Sequence, residues 1–199
     1  MGLSRAGFLR RSAFGGGALI ASASGLTALA GAASAATPPD ADLAYLRLLI
    51  AAELLALDFQ TTALANGKLR HAARPVVRRM RADEKAHYTQ LATLMLAAGQ
   101  TPATAGDIDF SYPKGTFRSQ ASILRLAGRL ERLTLGAYVG AIENVATPEL
   151  RLSMGQIAAN EAQHAGALAA LRGLPAIGKA FAPSLSMAAA SDALDEFES

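Results

Sequence analysis

Two of the chain's three histidines stand three residues after a glutamate, and each Glu-x-x-His pair has a lone glutamate upstream. The first set is Glu53 with Glu84-Lys85-Ala86-His87, and Glu53 and Glu84 are 31 residues apart. The second is Glu131 with Glu161-Ala162-Gln163-His164, at an interval of 30. Positions three apart share one face of an α-helix, so both members of each pair can point at the same spot. Four carboxylates and two imidazoles delivered as a duplicated unit are what a four-helix bundle needs to hold two metal ions inside it. Carboxylate and imidazole donors without thiolate favour iron or manganese over structural zinc. Two redox ions a few ångströms apart can pass electrons to dioxygen or peroxide.

Such donors need helices that bring them level. In an antiparallel hairpin, residues equally far from the turn lie at equal depth. The midpoint of Glu53 and Glu84 falls at Lys68–Leu69, beside the helix-stopping Asn66-Gly67. That of Glu131 and Glu161 is Ala146, beside Thr147-Pro148, which ends one helix and starts the next. Steps of three and four also run apolar stripes through each glutamate. Examples are Leu46, Leu49, Ile50, Glu53 and Leu57, or Met154, Ile157, Glu161, His164 and Leu168. The pattern predicts an all-α chain with helices near 40–65, 74–98, 119–145 and 148–172; for the tail, 175–199, the two readings are one short helix around Met187–Glu196 and a segment lying loosely over the bundle. A long link, Gly99 to Arg118, lets the third helix start at either end of the bundle, and its Phe110, Tyr112 and Phe117 are expected to pack across the helices. A bare buried carboxylate costs several kcal/mol, roughly, so four at one level call for bound cations.

The first 36 residues read as an export signal. Arg5, Arg10 and Arg11 open a Gly/Ala-rich, weakly apolar stretch that ends in Ala33-Ser34-Ala35. Ser4-Arg5-Ala6-Gly7-Phe8-Leu9-Arg10 resembles a twin-arginine signal with Ala6 where the second arginine belongs, and the general secretory route is the second reading. No stable membrane anchor is expected once the segment is removed. The chain has no cysteine, which excludes disulfides, thiolate metal sites and cysteine catalysis. The net charge of +3 owes much to the leader, so the remainder is near neutral and gives no electrostatic case for nucleic acid. Arg70, Arg74, Arg78, Arg79 and Arg81 read as a solvated face, His71 as exposed, and Glu143 and Glu149 as surface or capping residues. Asp58 and Asp83 fall beside the stripes. Tyr138, two turns after Glu131, and Tyr88, next to His87, are candidate electron or hydrogen-bond relays, with plain packing as the competing role.

The segment 40–174 resembles the bacterial ferritin-like superfamily, in particular exported ferritin-like domain proteins that include desiccation-related relatives. The resemblance rests on Glu53-x4-Asp58-Phe59, Asp107-Ile108-Asp109-Phe110, Leu130-Glu131 with Gly136-Ala137-Tyr138-Val139-Gly140-Ala141, and Pro148-Glu149-Leu150 through Glu161-Ala162-Gln163-His164-Ala165. It implies a left-handed four-helix bundle over 37–174 around a carboxylate-bridged dimetal centre. Its ligands would be Glu53, Glu84, His87, Glu131, Glu161 and His164, holding two iron ions or, alternatively, manganese. Three functions share that site: a di-iron oxidoreductase or ferroxidase acting on ferrous iron, dioxygen or peroxide; a non-enzymatic metal-binding or desiccation-associated bundle; and a manganese catalase-like enzyme. The expected assembly is a monomer or small homo-oligomer.

Overall fold

In the computed structural model the described residues are 38–199, so the export-signal reading of 1–36 lies outside them. Four long helices follow in order: α1 Asp40–Ala65, α2 Ala73–Ala97, α3 Gln120–Asn144 and α4 Pro148–Leu171. A short α5, Met187–Asp195, completes the set. Each long helix packs on two others, α1 on α2 and α3, and α4 on α2 and α3, so the four close around a common core.

Local chemistry sets the limits of these helices. Pro39 precedes α1, and Asp40 and Asp42 put negative charge in its first turn, where the helix dipole favours it. Gly99, at φ 70°, lets α2 end with Gln100 N–H donating to Met95 O at 3.0 Å, satisfying a carbonyl the helix would leave open. Ser119 and Ser122 cap α3 reciprocally. Asp42 is buried and accepts the Ala146 and Thr147 N–H groups and the Thr147 hydroxyl at 2.6–3.0 Å. It therefore pins the α3–α4 turn to the start of α1. Burial pushes the Asp42 carboxyl up, but these donors prevail and hold it below its ordinary value.

Helix α1 is long and apolar enough to cross a membrane by length and composition, yet 67% of that window is buried inside the bundle. Its apolar residues surround it because α2, α3 and α5 all cover it. This is a core helix with Glu53 in its middle.

The crossover between α2 and α3 is anchored by aromatics. Phe59, Tyr112 and Phe117 stack with ring centroids 5.4–5.6 Å apart, and Tyr112 donates to Asp58 Oδ2 at 2.6 Å. The tail is seated, not loose. Ser111 N–H donates to Phe197 O at 2.7 Å and Ser199 N–H to Asp109 O at 3.1 Å, so the last residues run along the crossover. Upstream, Leu185 N–H donates to Gly136 O at 3.0 Å, and a methyl group on Gly140 would overlap the Leu185 carbonyl. The two glycines are the notch in which the tail lies. Gly140→Ala is expected to unseat the segment 183–199 and cost about 1–3 kcal/mol of stability. Hydrogen exchange would show faster exchange at Leu185 and Phe197; unchanged protection there would refute the seating role.

Candidate metal centre

All six sequence-marked side chains point into the core at one level, each buried to 8% exposure or less. Around them the walls are apolar. Ile50, Met80, Ala127 and Ile157 sit one turn before the four glutamates and are themselves buried. The donors form two groups, each able to bring its ligand atoms within 4.8 Å of one another: Glu53, Glu84, His87 and Glu161; and Glu84, Glu131, Glu161 and His164. Glu84 and Glu161 belong to both. Glu84 turns Oε2 to His87 Nδ1 at 3.0 Å and Oε1 to His164 Nδ1 at 3.2 Å. Glu161 likewise brings Oε1 to 3.0 Å from His87 and Oε2 to 3.9 Å from His164. Each pair member from α2 and α4 thus spans the site, while Glu53 and Glu131 each serve one half.

The duplication extends one step further than the six residues. Tyr138, seven residues after Glu131, is fully buried and donates a hydrogen bond to Glu53 Oε1. Gln60, seven residues after Glu53, is also buried and donates to Glu131 Oε1 at 3.3 Å and to Glu84 Oε1 at 3.1 Å. Each single-helix glutamate therefore takes a hydrogen bond from the helix carrying the other. Sequence reasoning singled out Tyr138 but passed over Gln60. The available signal was the repeat itself, since Gln60 stands to Glu53 as Tyr138 stands to Glu131.

The remaining candidates fall at the margins. Asp83 lies 3.4 Å from His164 Nε2 and is paired with Arg79 at 2.8 Å. Tyr88 turns its hydroxyl away, to Ala103 O on the crossover at 2.9 Å. Glu143 accepts a hydrogen bond from Ser184 in the tail, and His71 sits exposed in the α1–α2 turn with φ 47°.

Protonation follows from burial and mutual charge. Burial and the Glu84 charge raise Glu131, and burial with the charges of Glu84, Glu131 and Glu53 raises Glu161 far above its ordinary value. Glu53 is pushed to about 8, mainly by burial. Burial also acts on Glu84, but hydrogen bonds and charge from His164 and His87 outweigh it and hold Glu84 below the usual carboxylate range. The imidazoles are disfavoured as cations by burial, yet Glu53 and Glu84 lift His87 to about 9, and Glu131 and Glu84 lift His164 to about 10.

This donor set fits a pair of cations. Glu53 Oε2, Glu131 Oε2, both Glu161 oxygens and His164 Nδ1 are buried with no hydrogen-bond partner. Buried polar atoms are ordinarily satisfied, and each left bare costs about 1–3 kcal/mol. These five atoms all belong to residues of the two donor groups, and a sixth, Gln60 Oε1, lies on the amide that bonds Glu84 and Glu131. Oxygen and imidazole donors suit iron or manganese.

The sequence profile described as Ferritin-like domain matches residues 41–174. Among solved structures, the chain is similar to the hypothetical protein MJ0754 from Methanococcus jannaschii, with 13% identity and a TM-score of 0.58 over 86% of this chain and 97% of that one. At that identity the likeness concerns the fold alone. No curated protein matches the chain.

Proposed function

Because the chain belongs to the ferritin-like domain family, we propose that it is an exported dimetal protein that holds two iron ions and carries out ferroxidase-type oxidoreductase chemistry on ferrous iron with dioxygen or peroxide. One observation carries the reading: six buried donor side chains converge, and five of their atoms make no hydrogen bond inside the protein. Export rests on the basic, Gly/Ala-rich first 36 residues, with the twin-arginine route preferred.

The residues divide the work. Glu84 and Glu161 would span the two ions, Glu53 with His87 would complete one position, and Glu131 with His164 the other. Bound iron supplies one electron from each ion, the pair needed to reduce dioxygen to hydrogen peroxide with two protons. Tyr138 fixes Glu53 through its hydroxyl and Gln60 fixes Glu131 and Glu84 through its amide, so the carboxylates enter the reaction already oriented. The buried aliphatic shell keeps bulk water from the donors. Tyr138 touches a ligand carboxylate and is the residue placed to relay a proton or an electron; Tyr88 bonds to the crossover instead.

The test is metal analysis of the full chain from its native compartment, followed by anaerobic ferrous loading and admission of oxygen. The expected result is two ions per chain and oxygen consumed at about one molecule per two ferrous ions. Manganese with rapid peroxide breakdown would overturn it in favour of the catalase-like reading. Two tightly held ions with no turnover would leave a metal-binding bundle.

A further inference from the structure

The two halves of the centre share their ligand types but differ in everything that surrounds them. His164 presents Nε2 to Asp83 Oδ2 at 3.4 Å, and Asp83 is held by Arg79. The equivalent position before Glu161 is Asn160, and among the described residues no side chain hydrogen-bonds His87 Nε2. A carboxylate on the outer nitrogen fixes the tautomer and strengthens the inner nitrogen as a donor.

The inner nitrogens also differ. His87 Nδ1 is bonded to Glu84 Oε2 at 3.0 Å and lies 3.0 Å from Glu161 Oε1, whereas the carboxylates around His164 Nδ1 stand further off, Glu84 Oε1 at 3.2 Å and Glu131 Oε2 at 3.4 Å, and none makes a hydrogen bond with it. A cation entering the His87 half must displace the closer set of contacts. On the same side Tyr138 draws on Glu53 with a phenol hydrogen bond. On the other side the single amide of Gln60 holds two oxygens of the His164 half, Glu84 Oε1 and Glu131 Oε1, in place. A neutral amide orients a carboxylate while withdrawing less charge than a phenol. All of these differences act in one direction.

We propose that the two cation positions are inequivalent, and that the Glu131–His164 position binds more tightly and fills first, with Asp83 and Gln60 as its positioning residues. The proposal rests on the dimetal reading above.

The experiment is a Zn²⁺ titration of the metal-free full chain followed by ¹⁵N NMR of the histidine side chains, with calorimetry for affinity. The chain has only three histidines, so the signals can be assigned. The first equivalent is expected to move His164 while His87 keeps its metal-free shift, and the second to move His87. The two steps should differ at least about tenfold in affinity, and Asp83→Asn should weaken the first by about 10–100-fold while leaving the second and the metal-free melting temperature unchanged. Tyr138→Phe, by contrast, should tighten the second step alone. His87 and His164 shifting together from the first addition, or His87 shifting first, would overturn the inequivalence while leaving the dimetal reading intact. Absence of any Zn²⁺ binding would overturn both.

Discussion

Glu84→Ala is expected to take the protein from two bound ions per chain to none, and Glu161→Ala to do the same. Glu53→Ala or Glu131→Ala should leave one. The difference comes from sharing: Glu84 and Glu161 lend an oxygen to each donor group, whereas Glu53 and Glu131 each belong to one. Removing a shared ligand leaves three donors at each position and takes away the carboxylate that spans them. The fold should survive, because the bundle rests on its aliphatic core. Glu161→Leu sharpens the test. Neither Glu161 oxygen takes a hydrogen bond, so an apolar side chain of similar size should stabilise the metal-free protein by about 1–3 kcal/mol while eliminating metal uptake. Plasma emission analysis counts the ions, and circular dichroism with urea denaturation reports fold and stability. Two ions per chain in the Glu84→Ala protein would show that the ligand assignment is wrong.

The second large effect concerns pH. With metal chelated away, Glu53, Glu131 and Glu161 hold protons in the folded protein more tightly than an ordinary glutamate, and both site histidines more tightly than an ordinary histidine. Groups whose affinity for protons rises on folding stabilise the fold when protonated. Their contribution is complete below the ordinary values of 4.5 and 6.5 and is lost as pH climbs through about 8 for Glu53, 9 for His87 and 10 for His164. Glu84 acts oppositely, its contribution present above 4.5 and fading in stronger acid. The metal-free protein should therefore be most stable near pH 5 and weaken steadily toward pH 9. The loaded protein should gain over the same range, because ligation needs the deprotonated donors, and loading at pH 7 should release more than two protons per chain. Denaturation midpoints at pH 5, 7 and 9, with and without metal, check this together with an indicator dye for the protons. A metal-free midpoint that stays flat from pH 5 to 9 would mean that the carboxylates do not carry these protons in the folded state.

Much of this was legible before any coordinates. The four long helices fall within one residue of the expected limits, 40–65, 74–98, 119–145 and 148–172, because the turn chemistry of Asn66-Gly67, Gly99 and Thr147-Pro148 is local. The level placement of the glutamates followed from hairpin symmetry alone. Contacts between segments far apart in sequence left no such trace. Asp42 reads as one acidic residue in a first helical turn, and only the fold shows it accepting Thr147 N–H. Gly136 and Gly140 carry no periodic signal, since what fills the notch is an extended segment some fifty residues later. Asp83, left beside the stripe, is found on His164 because α2 and α4 are neighbours.

The division of the donors between the two helical hairpins has a consequence for biogenesis. The α1–α2 hairpin brings Glu53, Glu84 and His87, and the α3–α4 hairpin brings Glu131, Glu161 and His164. Neither half owns a whole donor group: the first needs Glu161 and the second needs Glu84. A nascent chain with only its amino-terminal half outside the ribosome, or a fragment clipped in the crossover, cannot assemble a full coordination sphere. Capture of cations there would thus report that the halves have docked, and each captured ion would act as a rivet between them.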